Sequence, residues 1–362
     1  MTHSSSLASA GLAAASQWLL HSGIQETSGG VARFYRADVG LNQAVSTEIT
    51  GYTASALIFL AEVTNDPGCL CGARRAADFL RHKAWSASLG IFPFECEPGP
   101  EGQLSYFFDS GIIIRGLLAV WRQSRETELL TLATDAARGM ARDFAASGDW
   151  HPVLALPSKQ AMPRLPRWSR APGCYQLKSA LAWRELAEAT GDQSIADPYY
   201  DCLTKSLTSH REYLPGTSEP LVVMDRLHAY CYFLEGMAPL VARPECREEY
   251  VWGLDRAGHL LREIRPEFLR ADVCAQLLRA RLLAAGHIPV DVKAAEEEAQ
   301  QLSGFQARST DPRVNGGFWF GRRHGELVPH LSPVPTAFAV QALHLWSEFQ
   351  DGKTTSCQHP VI

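Results

Sequence analysis

Glu48, Thr50 and Tyr52 stand together in "STEITGY", just ahead of the apolar run "TASALIFLAE". A second carboxylate, Asp109, sits in "SYFFDSG", again ahead of an apolar run. His228, Cys231, Tyr232 and Glu235 fall at i, i+3, i+4 and i+7, which is one face of a helix. Two carboxylates on opposite sides of a cleft suit glycoside hydrolysis, where one donates a proton and the other activates water or attacks. A His or Tyr beside a carboxylate suits proton abstraction next to a uronate carboxyl, in elimination or epimerisation. In this reading Asp109 and Glu48 are the acid/base carboxylates, and His228 is a proton shuttle or hydroxyl ligand. Tyr52, Trp150 and Trp319 form a platform for sugar rings, with Tyr175 and Tyr232 beside them. Lys178 and Arg322 hold a substrate anion. Each residue also has a plainer role open to it: Asp109 as a helix N-cap, Glu48 as a partner of a helix dipole, His228 as a core histidine, the tryptophans as loop anchors.

These residues belong to a repeating pattern. Six segments are apolar around most of their circumference: 51–62, 110–122, 177–189, 227–240, 272–286 and 336–349. Six others are amphipathic and more charged: 7–23, 72–84, 129–148, 197–214, 247–264 and 291–305. The first type is expected for helices buried on several sides, the second for surface helices with one apolar stripe. They alternate strictly, which predicts six helical hairpins in an all-α (α/α)6 toroid with an inner and an outer ring. An open solenoid of helix pairs is the rival arrangement.

Inner-to-outer links are short and carry Gly, Asp and Pro. Several outer-to-inner links are long, at 85–109, 149–176, 215–226 and 306–335. In a closed ring these would share one rim with the N-termini of the inner helices, whose free N–H groups favour anionic or hydroxyl-rich ligands. Residues 1–350 are read as one toroid domain and 351–362 as a flexible C-terminal tail.

Composition narrows the function. The net charge of −5, with no basic block, argues against a nucleic-acid partner. No apolar run reaches the roughly 18 residues of a membrane span, and the start of the chain reads as a helix, not a signal peptide. Nine irregularly spaced cysteines fit reduced thiols in a cytoplasmic protein, with no metal site. Phosphate-loop, dinucleotide-binding, zincin and esterase-elbow motifs are missing, so no cofactor is expected. Aspartate-rich motifs of terpene-type cyclases are missing too.

The segments "GGVARFYR…STEITGY", "FFDSGIIIRGLL", "YQLKSALAWRELAEATGD", "LHAYCYFLEGM" and "NGGFWFG" occur in this order. Together they resemble a family of bacterial proteins linked to exopolysaccharide biosynthesis, within the six-hairpin glycosidase-like superfamily. The resemblance spans roughly residues 15–350. It implies the toroid fold, a role near a surface polysaccharide, and a site marked by Glu48, Thr50, Gly51, Tyr52, Asp109, Gly111, Tyr175, His228 and Glu235. The superfamily includes glycoside hydrolases, unsaturated-uronide hydrolases, lyases and sugar epimerases. The expected partner is therefore an oligo- or polysaccharide, an acidic one, with polysaccharide-assembly proteins as further candidates. A non-catalytic glycan-binding or assembly module is the first alternative. A toroid enzyme acting on an isoprenoid or peptide is the second.

Overall fold

A computed structural model describes residues 3–214, 219–353 and 360–362. Among these residues there are twelve α-helices: α1 (His3–His21), α2 (Thr47–Thr64), α3 (Pro67–Phe79), α4 (Phe107–Ser124), α5 (Thr127–Asp143), α6 (Gln176–Thr190), α7 (Asp197–Tyr213), α8 (Pro220–Met237), α9 (Pro244–Ile264), α10 (Ala271–Leu283), α11 (Val292–Ser303) and α12 (Pro333–Gln350). The even-numbered helices form the inner ring. Each packs on the next in the order α2, α4, α6, α8, α10, α12, and α12 packs back on α2. The ring is closed, and the open solenoid is excluded.

The two helix types behave as their patterning requires. In α5, Leu129, Leu132, Ala133, Ala136, Ala137 and Met140 are buried, a single stripe at helical spacing. In α4, every residue from Phe107 to Leu118 is buried, because neighbours surround it. Two inner helices touch backbone to backbone. A Cβ added at Gly116 would lie 2.5 Å from the Gly51 carbonyl oxygen, and one at Gly51 would lie 2.9 Å from the Ile113 Cα. Only glycine permits that approach, which draws the start of α2 against the middle of α4.

The rim at the inner-helix N-termini is a crown of short antiparallel ribbons. Gln103–Tyr106 pairs with Val153–Leu156, and Phe268–Arg270 pairs with Gly321–Arg323. Tyr35–Arg36 pairs with His330–Leu331, which zips the first hairpin to the last.

The expected loop at 215–226 is shorter than predicted. Proline at the first helical position starts α8 at Pro220, well ahead of the expected 227. Residues 215–218 lie outside the described residues. The expected flexible tail also differs in part. Val361 and Ile362 are buried inside the ring, while 354–359 lie outside the described residues. No described helix is long and apolar enough to cross a membrane. The eight described cysteines are free thiols, and Cys357 falls outside the described residues.

Candidate functional site

A cleft of about 270 Å³ opens among the ribbons of this rim. Its walls bring together Glu48 and Ile49 of α2, Phe108 and Asp109 of α4, His228 and Tyr232 of α8, Asp272 of α10 and Pro335 of α12. Arg33, Phe94, Tyr106, Arg167, Trp168, Arg270 and Phe320, from the ribbons and loops of the rim, also line it.

Glu48 lies in the first turn of α2, and the cap is Ser46, whose hydroxyl accepts a hydrogen bond from the Ile49 N–H. Thr50 is structural: its hydroxyl donates to the Ser46 carbonyl at 2.7 Å and accepts from the Val31 N–H at 3.0 Å. Glu48 is thus free of capping duty. The same holds for Asp109. Tyr106 occupies the N-cap position of α4, and Asp109 sits inside the first turn. Its Oδ2 is buried without a hydrogen-bond partner among the described residues. An unsatisfied buried polar atom is uncommon in folded proteins and calls for a reason.

Burial pushes the Glu48 carboxyl up to about 7. Burial, followed by the charge of Glu48, holds the Asp109 carboxyl well above the ordinary aspartate range. Two carboxyls that interact in one cleft resist double ionisation, so at neutral pH the pair retains a proton.

Opposite them stands His228. Its Nδ1 lies 3.0 Å from Gln276 Oε1 and 3.3 Å from Asp272 Oδ2. Both are acceptors, given that the Gln276 amide nitrogen donates to the His228 carbonyl. The network therefore assigns the proton to Nδ1 and leaves Nε2 as an acceptor. Burial, then the nearby Arg270 guanidinium, lowers the imidazole to about 4, so it is neutral at pH 7. Arg270 fixes the other side of the dyad. It donates to Asp272 through Nε at 2.9 Å and Nη2 at 2.5 Å, and to Asp225 Oδ1 at 3.0 Å. That forked pairing helps hold Asp272 ionised, below its ordinary range, against the opposing effect of burial.

The mouth is cationic and aromatic. Arg33, Arg167 and Arg270 line it, with Arg33 ion-paired to Glu95 at 3.3 Å. The Trp168 ring lies edge-on to His228 at 5.8 Å and packs on Phe108 at 6.0 Å.

The cleft brings together four of the residues expected from the sequence: Glu48, Asp109, His228 and Tyr232. The others lie elsewhere. Tyr52 is buried one turn below Glu48, its ring edge-on to Phe338 at 5.2 Å. Tyr175 backs the wall, donating to the Ala171 carbonyl and packing on Trp168. Trp150 anchors its loop between Phe107 and Trp183. Trp319 sits half-buried against the core, and strand alternation turns its neighbour Phe320 to the cleft instead. Arg322 is exposed on the ribbon and donates to the Gly304 carbonyl. Lys178 is fully buried on the ring axis, 2.6 Å from Glu235.

Arg270 and Arg33 were not assigned to the site from sequence, and the sequence marks Trp168 only as a loop tryptophan on the predicted rim. Arg270 lies in a strand just ahead of α10, two residues from Asp272, and that short spacing is its one sequence signal. Among the described residues no group of three or more His, Cys, Asp or Glu could hold a metal ion.

The architecture and this rim define an (α/α)6 toroid with a cleft at the inner-helix N-termini. Solved structures share the fold. A cellobiose 2-epimerase from Spirochaeta thermophila DSM 6192 superposes with a TM-score of 0.69 at 12% identity, covering 92% of this chain and 93% of that one. An unsaturated glucuronyl hydrolase specific for heparin gives 0.68 at 11% identity, over 96% and 98% of the two chains. A D-mannose isomerase gives 0.69 at 11% identity, over 96% and 99%. Comparison of the sequence with protein-family profiles gives no match, and comparison with curated proteins gives none at the significance required.

Proposed function

We propose that this protein is a carbohydrate-processing enzyme that performs hydrolase-type acid/base chemistry on an acidic sugar unit. The observation that carries the proposal is the Glu48–Asp109 pair: one partly buried and one buried carboxyl on adjacent inner helices, neither used as a cap, facing one cleft. Asp109, whose carboxyl burial and the Glu48 charge hold well above the ordinary aspartate range, donates its proton to the departing glycosidic oxygen. Glu48, poised near neutral pH, takes a proton from the water that adds to the anomeric carbon. Trp168, Phe94 and Tyr106 offer faces for sugar rings, and Arg33 and Arg167 offer partners for a uronate carboxylate. A carboxyl pair in the cleft weighs against an isoprenoid-processing toroid.

The test is a panel of saturated and unsaturated uronyl oligosaccharides assayed for released reducing ends. Wild-type turnover should fall by at least ~10²-fold in Asp109→Asn and in Glu48→Gln. Binding of the panel with no product from the wild type would replace this reading with a glycan-binding module.

His228 supports a second reading. A neutral imidazole oriented by Asp272, with a free Nε2 lone pair, suits proton abstraction beside a sugar carbonyl in epimerisation. Solvent deuterium appearing at that carbon, and lost in His228→Asn, would select it. A cytoplasmic setting in exopolysaccharide biosynthesis, beside assembly proteins, remains part of the proposal and rests on the sequence resemblance. Glycosyltransferase and flippase genes beside this one would support it.

A further inference from the structure

The end of the ring opposite the cleft contains a second assembly of buried polar groups, which the proposed chemistry does not use. Pro360–Ile362 enters the ring there, and side chains from four inner helices bind its backbone. Gln341 of α12 donates to the Pro360 carbonyl at 2.9 Å and accepts from the Ile362 N–H at 3.0 Å. Arg115 of α4 donates to the Val361 carbonyl. Lys178 of α6 and Arg279 of α10 both donate to the Ile362 carbonyl, at 2.5 and 3.1 Å. Lys178 and Arg279 are wholly buried, and Gln341 and Arg115 nearly so.

These groups form a charge cluster with two carboxylates. Glu235 pairs with Lys178 and Arg279, and Glu185 pairs with Arg115. On the axis above it lies an aromatic layer. The Lys178 ammonium sits 5.9, 5.6 and 5.2 Å from the ring centres of Tyr52, Tyr232 and Phe338. Tyr232 is also a wall of the cleft. One layer of rings thus separates the cluster from the candidate site. Cavities of about 50 and about 410 Å³ border the seated segment.

We propose that this far end is a built receptor for an extended peptide backbone, occupied in cis by Pro360–Ile362, and that the seated segment keeps water from the Lys178–Glu235–Arg279 cluster beneath the aromatic layer. Four buried donors from four helices converge on successive carbonyls. Buried donors of this kind are seldom left unmatched inside a folded chain, and the segment supplies acceptors beyond those of Glu235 and Glu185. The burial that depresses Lys178 well below the ordinary lysine range is completed by the same segment.

The experiment measures modification of Lys178 by an amine-reactive reagent, read by mass spectrometry. In the full chain Lys178 should resist while exposed Lys293 reacts. In a variant lacking residues 360–362, Lys178 should react about tenfold faster or more, as local opening exposes it. A synthetic peptide of residues 353–362, amidated at its end, should restore protection. A folded deletion variant with Lys178 still protected, or one that the peptide fails to protect, overturns the proposal. If the deletion prevents folding, the Val361→Gly/Ile362→Gly double variant takes its place. In the intact protein, hydrogen exchange of the 353–362 peptide reads the Ile362 N–H bond to Gln341 directly. Complete exchange at the earliest time also overturns the proposal.

Discussion

Replacing Glu48 by glutamine should make the protein more stable in alkali and leave it unchanged in acid. The fold favours the protonated carboxyl, since burial raises it from 4.5 to about 7. A group raised in this way contributes stability that is fully present below its unfolded value and is lost as pH rises through its folded value. The full shift corresponds to about 3 kcal/mol. Glu48 is only partly buried at the cleft, and water there screens it, so roughly 1–3 kcal/mol is expected between pH 4 and pH 8. For a chain of 362 residues this is about 1–4 °C in Tm.

The assay is urea unfolding of both proteins at matched pH values, with the variant compared with wild type at each one. Matching matters because His228 has the opposite slope. Its imidazole is lowered from 6.5 to about 4, so its contribution is present above pH 6.5 and is lost as pH falls toward 4. The wild-type curve therefore hides both effects where they overlap. A Glu48→Gln difference that is the same at pH 5 and pH 8, or a variant less stable at pH 8, would refute the reasoning about burial. Loss of turnover together with gained stability would mark Glu48 as a group kept at the expense of the fold.

His228→Asn should remove the acid-side loss, so its difference from wild type should shift in the variant's favour as pH is lowered from 6.5 to 4, read by the same unfolding curves. Gly116→Ala places a methyl 2.5 Å from the Gly51 carbonyl and should cost upward of ~3 kcal/mol, seen as a lower thermal midpoint. Glu235→Leu strips the partner from two buried cations, Lys178 and Arg279. It should cost about 3–5 kcal/mol in denaturant unfolding, and adding Lys178→Met should recover part of that loss.

The ring was legible in the sequence because inner and outer helices differ in how much of their circumference is apolar, and six alternations leave few other folds. The placement of Glu48 and Asp109 at one cleft was legible because each stands ahead of an apolar inner helix, and Ser46 and Tyr106, not the carboxylates, hold the cap positions. Lys178 was not. It stands near the start of α6, as a rim residue would, but its side chain runs to Glu235 on the axis. Direction around a helix decides that, and a start position does not reveal it. Trp150 and Trp319 show the same limit: loop aromatics are drawn to sugar faces and to cores alike. Arg270 acts through Asp272, which it reaches only after its strand has paired with Gly321–Arg323.

The aromatic layer of Tyr52, Tyr232 and Phe338, backed by Lys178 and the inserted Pro360–Ile362, has a bearing on traffic. It makes the cleft a cul-de-sac. A polymer can offer a terminus to such a recess but cannot be threaded through it, and whatever enters must leave by the same door. If the proposed function holds, long strands would be altered one tip at a time, with release between events.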